Sequence, residues 1–117
     1  MTTRETVTAY LERLRQKGDW ASTLADDITF TSHTSPVRRL SGKDVFLQAT
    51  KRFYSTIVAM DVRDVVVDGA RACALTHYDL EPPGGTRFGS DVAEVFVVEN
   101  DAIRSFDIYF DSAPYPK

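Results

Sequence analysis

The chain has 117 residues, 43% of them hydrophobic and 26% charged, with a net charge of −3; this is the balance of one globular domain, 1–117, long enough to bury its own core. Its 14 basic residues are scattered apart from the pairs Arg38-Arg39 and Lys51-Arg52, so no basic stripe points to nucleic acid and no polybasic tract to an anionic membrane. No apolar run approaches a membrane span, the Met-Thr-Thr-Arg-Glu start has no apolar signal region, and the lone Cys73 cannot close an internal disulfide; together these predict a cytoplasmic protein.

Thr2 and Glu5 have capping-box spacing and predict a helix over 3–17. Val7, Tyr10, Leu11 and Leu14 form its apolar stripe, and Gly18 is the natural stop. Asp19 then caps a short second helix over 19–25 that buries Trp20 and Leu24. Residues 27–32 alternate as a short strand with Ile28, Phe30 and Ser32 on one face, and 33–40 read as an irregular loop around Pro36. Ser41 caps a third helix over 41–56, whose buried stripe is Val45, Phe46, Ala49, Phe53 and Ile57.

At Ile57 the apolar spacing changes from helical to alternating. Segments Ile57–Val67 and Ala70–Leu80 flank Asp68-Gly69, a strong two-residue hairpin signal, and Glu81–Thr86 is a wider loop. The last hairpin, Asp91–Asp111, turns at Asn100-Asp101, two residues that tolerate left-handed backbone angles. Helices first and a strand meander after predict an α+β fold, with three helices on one face of a curved antiparallel sheet.

That last hairpin also carries an anomaly. Val92, Glu94, Phe96 and Val98 share one face, and Arg104, Phe106, Ile108 and Phe110 share another. A carboxylate on an apolar face must be paired, protonated or set at a cavity mouth, because desolvating it alone costs several kcal/mol or more. The opposite register turns Ala93, Val95 and Val97 inward and sends Glu94 to water. His77 and Tyr78 are strand neighbours pointing to opposite faces, so one of the two enters the interior. His33, in the loop, has the titration range of a general base if that loop rims a cavity. Cys73, in the run ACAL, reads as a small core residue, and Asp107, Tyr109 and Asp111 belong to the outer face of the last strand. Two histidines 44 residues apart, without paired carboxylates, make no metal site, and Pro82-Pro83-Gly84-Gly85 is a turn rather than a phosphate cradle.

A helix ending in Gly-Asp-Trp (18–20), Ala-Asp-Asp-Ile-Thr-Phe leading into a strand (25–30), a Ser-Gly-Lys-Asp helix start (41–44) and a final Asn-Asp-Ala-Ile…Tyr-Phe-Asp hairpin (100–111), in that order, resemble the nuclear transport factor two-like superfamily. Within it the chain is similar to SnoaL-like and ketosteroid-isomerase-like domains. The resemblance implies a cone-shaped roll with an apolar cavity open at one end, no cofactor, and a homodimer through the sheet's outer face. Ketosteroid isomerases use a carboxylate base with a tyrosine and a protonated aspartic acid as oxyanion donors. Carried over, the acid falls on Glu94. The tyrosine falls near Tyr10, although counting back from Gly18 lands on Leu11. The base falls on Ser32 or His33, and neither is a carboxylate.

The resemblance thus implies a cavity lined by Ser32, Phe53, His77, Val92, Phe96, Phe106, Ile108 and Phe110 that takes a small hydrophobic molecule. One expectation is cofactor-free isomerase- or cyclase-type proton transfer on a carbonyl compound. His33, or a water held by Ser32 and His33, then acts as base while Glu94 and Tyr10 stabilise the enolate. The alternatives are a module that holds a ligand without turnover, and a protein-interaction domain working through its sheet face.

Overall fold

The capping box is made in full: the Glu5 amide donates to Thr2 Oγ1 at 3.1 Å and the Thr2 amide to Glu5 Oε1 at 2.9 Å. It starts helix α1, Thr3–Arg15, in a computed structural model that describes residues 1–34 and 36–116. Val7, Tyr10, Leu11 and Leu14 are buried along its predicted stripe. The stop differs from expectation. Lys17, not Gly18, takes the left-handed conformation (φ 57°), and the amides of Lys17 and Gly18 cap the carbonyls of Leu14 and Arg13, the Schellman arrangement with a lysine where glycine is preferred.

The predicted second helix is one 3-10 turn, Ala21–Thr23, after which the chain is already extended. Strand β1 runs Leu24–Ser32, starting three residues earlier than predicted. Strand β2, Arg38–Ser41, occupies part of the predicted loop and pairs antiparallel with β1; Ser35, in that same loop, lies outside the described residues. Two arginines in four residues hide a short, charged edge strand from any hydrophobic pattern. Ser41 therefore ends β2 instead of capping a helix, and Gly42 (φ 95°) begins α2, Lys43–Ser55, with no side-chain cap. The buried line of α2 is Phe46 and Thr50, while Val45 is exposed.

Four strands complete the sheet: β3 Ile57–Asp68, β4 Arg71–Leu80, β5 Phe88–Glu99 and β6 Ala102–Phe110, in spatial order β2-β1-β6-β5-β4-β3. The architecture is α+β with a curved six-stranded sheet and two helices, not three. Asp68 pairs with Arg71, so the β3–β4 turn is Gly69-Ala70, one residue past the Asp68-Gly69 prediction. Asn100 and Asp101 both hold positive φ, as the last turn demands. Neighbours joined by short turns are antiparallel, but β1 and β6 run parallel. Everything from β2 to β5 separates them in sequence, so no turn dictates their relative sense.

Helix α1 packs over β3–β6 and α2 over β1 and β2. The core joins Val7, Tyr10, Leu11 and Leu14 to Ile28, Phe46, Phe96, Ile103 and Phe106. A bulge in β6 corrects the predicted face. Val97 pairs with Ser105 but Val98 with Ile103, so Ile103 is buried and Arg104 is exposed beside Glu99 and Asp27.

Candidate functional site

Alternation and register decide what the sheet shows to its helices. On β5 the inward set is Val92, Glu94, Phe96 and Val98, all buried; Ala93, Val95 and Val97 take the outer face. Across from them on β6 stand Phe110 opposite Val92, Ile108 opposite Glu94 and Phe106 opposite Phe96. Ala74 on β4 faces Glu94 from the other side, which puts Thr76 and Tyr78 inward with it. Between this concave face and α2 lies a cavity of about 640 Å³. Phe30, Ser32 and Leu40 line it from β1 and β2, Phe53 and Tyr54 from α2, and Val92, Phe106, Ile108 and Phe110 from the sheet. Tyr115, after the last strand, closes one side, its hydroxyl 2.8 Å from Ser90 Oγ and its ring packed on Phe88 and Phe110.

Glu94 is set into this wall with 2% of its surface exposed. The Tyr78 hydroxyl donates to its Oε2 at 2.9 Å. Its Oε1 has no hydrogen-bond partner, nor has the buried Thr76 hydroxyl, which sits two pairs further along β4, opposite Val92. Burial raises the Glu94 pKa from the ordinary 4.5 to about 7, against the hydroxyls of Thr76 and Tyr78, which favour the anion. Thr76 thus lies near enough to act on the charge without meeting hydrogen-bond geometry.

A second pair of hydroxyls adjoins the first. Tyr10 Oη and Tyr54 Oη are 2.5 Å apart. Tyr10 is fully buried, its ring edge-on to Trp20, Phe96 and Phe106, while Tyr54 reaches the cavity wall. Burial, first of all, holds both phenols protonated far above neutrality; a negative Glu94 pushes each further up. The interior therefore presents one carboxyl that titrates near neutral pH and three tyrosines that remain donors there.

The remaining predicted residues divide by face. Ser32, Phe53, Val92, Phe106, Ile108 and Phe110 line the cavity, whereas Phe96 lies fully buried against Tyr10 and Phe106 and does not. His77 is on the outer face, 2.7 Å from Asp91 and 3.4 Å from Asp79, over the bare backbone of Gly89. It is Tyr78, its neighbour, that enters. His33 is also outside: its ring stacks on Tyr109 at 4.4 Å, with Nε2 3.4 Å from Asp107. The reason is that Ser32 pairs with Ile108 in the inward row, so the next residue of an extended chain turns away. Neither histidine joins Glu94.

Tyr54, Tyr115 and Arg38 are cavity residues that sequence reasoning left out; Tyr78 it left open against His77, and Thr76, inward beside Glu94, it did not name. The β4–β5 register, with Leu80 opposite Phe88 across a long loop, puts Tyr78 on the parity of Glu94, and no local pattern sets it. One signal did exist. On α2, Phe46, Thr50 and Tyr54 recur every fourth residue, a stripe masked by the polar Thr50.

The family model of the SnoaL-like domain matches residues 4–106. No functionally curated protein matches the sequence. Among solved structures, a protein from Jannaschia sp. CCS1 described as a SnoaL-like polyketide cyclase superposes with a TM-score of 0.81 at 14% identity, covering 98% of this chain and 93% of that one. A LEH-like epoxide hydrolase from M. tuberculosis gives 0.79 at 22% identity, over 96% and 84%. A protein of ketosteroid isomerase-like fold from Catenulispora acidiphila, solved in complex with trimethylamine, gives 0.78 at 19%, over 94% and 88%. At these identities the likeness is one of fold.

Proposed function

The chain belongs to the SnoaL-like domain family, and from that premise we propose that it binds a small hydrophobic carbonyl compound in its cavity and moves a proton on it without a cofactor. The observation that carries this reading is Glu94: a carboxyl in an apolar wall, titrating at about 7, with one oxygen unpartnered. A base whose pKa matches the working pH transfers protons most effectively. Glu94, as carboxylate, takes the proton from the carbon beside the ligand's carbonyl. Tyr54, its own oxygen held by Tyr10, donates to the oxygen that becomes negative, and Tyr78 steadies the carboxylate. Returning the proton at another carbon gives isomerisation; attack of the enolate within the same molecule gives ring closure. His33 has no part in this scheme, since it faces away, and Tyr10 acts through Tyr54.

A simple ketone tests it. In D2O, with methyl octyl ketone as probe, proton NMR is expected to show loss of the protons flanking the carbonyl. The rate should rise with pH toward a plateau above about 7 and vanish in Glu94→Gln. Exchange no faster than in buffer, or unchanged by the substitution, defeats the proton-transfer reading. A second reading is favoured by one observation: among the described residues, the cavity wall carries no carboxyl besides Glu94 and no histidine. Under it the domain holds its ligand without turnover, and Glu94→Gln changes affinity alone. We also propose a homodimer through the outer sheet face, where Val66, Leu75 and Tyr109 are exposed.

A further inference from the structure

Arg38 is the second charged residue of the cavity wall. In the β1–β2 pairing Ser32 faces Arg38 and Phe30 faces Leu40, so Arg38 and Leu40 share the inward parity of Ser32 and Phe30, and all four line the cavity. Arg39, on the other parity, points out and meets Thr31. One row crosses the sheet from Arg38 through Ser32 and Ile108 to Glu94. It spans three strand spacings, roughly 14 Å measured along the sheet and less across its concave face. Arg38 sits at the exposed edge of this row and Glu94 at its buried end. Among the described residues no carboxylate lies within ion-pair distance of Arg38, and its charge is not among the groups acting on Glu94. The two charged groups are thus separate, one at each end of an apolar channel.

We propose that the cavity takes a bifunctional ligand: an apolar chain or ring with a carbonyl at the end that meets Glu94 and a carboxylate at the end that meets Arg38. This rests on the carbonyl reading above and adds the second end group to it. A guanidinium presents a planar fork that a carboxylate matches with two parallel hydrogen bonds. With one fork and no second cation among the described lining residues, a monoanion fits the site. The apolar span between them, Phe30, Leu40, Phe106 and Ile108, requires a hydrocarbon body, and the carboxylate keeps the mouth end of that body in water. Arg38 is then a specificity residue that selects keto acids over neutral ketones, without touching the reacting atoms.

The test is a matched pair of probes: methyl octyl ketone, and the keto acid in which the far methyl of that ketone is replaced by a carboxylate. Calorimetric titration at low salt is expected to show the keto acid binding roughly two- to fivefold tighter, as an exposed charge pair allows. Added salt should shrink that gap. Arg38→Gln should abolish the gap by weakening the binding of the keto acid, while Glu94→Gln should leave the gap in place. Equal affinity for the two probes, or a gap that survives Arg38→Gln, overturns the assignment of Arg38 while the carbonyl reading stands. Binding of neither probe overturns both.

Discussion

Replacing Glu94 with Gln keeps the shape and removes the titration, and the structure sets what should follow. The carboxyl titrates at about 7 in the folded protein and at 4.5 without burial. Below 4.5 it is protonated in both states and adds no pH dependence. Between the two values the unfolded chain releases its proton while the folded one keeps it, so the unfolding free energy falls as pH rises. Above about 7 both states are ionised and the penalty stays constant at about 3 kcal/mol. Gln carries no such penalty. The cost of its amide beside Thr76 is a fixed offset, independent of pH. Urea unfolding of both proteins, followed by the fluorescence of Trp20, the single tryptophan, gives the difference at each pH, and the other carboxylates cancel in it. Protein concentration is held fixed, since any self-association adds to apparent stability. The expected difference turns in favour of Glu94→Gln by about 3 kcal/mol between acid and mildly alkaline pH. Parallel curves across that range would refute the reasoning, because they would mean that Glu94 titrates alike in both states.

Tyr78→Phe removes a donor that favours the Glu94 anion; the Glu94 carboxyl should titrate still higher by carbon NMR, and stability above neutral pH should drop by about 1–3 kcal/mol. An unmoved titration would mean that the hydroxyl does not hold the carboxylate. Lys17→Gly relieves a left-handed residue at the end of α1 and should raise stability by about 1 kcal/mol in thermal or denaturant unfolding. Light scattering at micromolar concentration should report a dimer, and Leu75→Glu, on the exposed outer face, a monomer; a wild-type monomer removes that interface.

Where a single element carried its own pattern, the sequence was legible. The stripe of α1 and the Asn100-Asp101 turn follow from spacing and turn chemistry alone; on β5, spacing set out two alternative faces, and pairing with β4 and β6 decides for the one that holds Glu94. What stayed hidden depends on pairings between distant segments. The start of β1 is three residues earlier because strand pairing, not the polar Asp26-Asp27, sets its limit. Arg38-Arg39 is a charged edge strand only because β1 offers it a partner. His33 is the instructive case. As a loop residue beside a predicted strand it is free to face either way, and the parallel pairing of Ser32 with Ile108 sends it out onto Tyr109. That pairing joins residues 76 apart in sequence, and no local signal announces it. Arg104 shows the same limit on a smaller scale: one extra residue in β6 exchanges its face with Ile103.

Glu94 itself argues that the wall around it is kept for something other than stability. A carboxyl retained to specify packing is expected to have both oxygens satisfied, since a half-satisfied buried network is worse than an apolar one. Here one oxygen is held by Tyr78 and the other has no partner, with an unpartnered Thr76 hydroxyl nearby. Among the described residues no cation offsets the burial. Leucine at this position would meet Phe106, Ile108 and Ala74 without any of these costs, and a buried group this poorly paired calls for an explanation, for which a functional site is a candidate. The costs fall at one point of the inward face, beside the cavity and nowhere else on β5. That coincidence is what the proposed ligand would explain, since it leaves the unsatisfied oxygen beside the cavity.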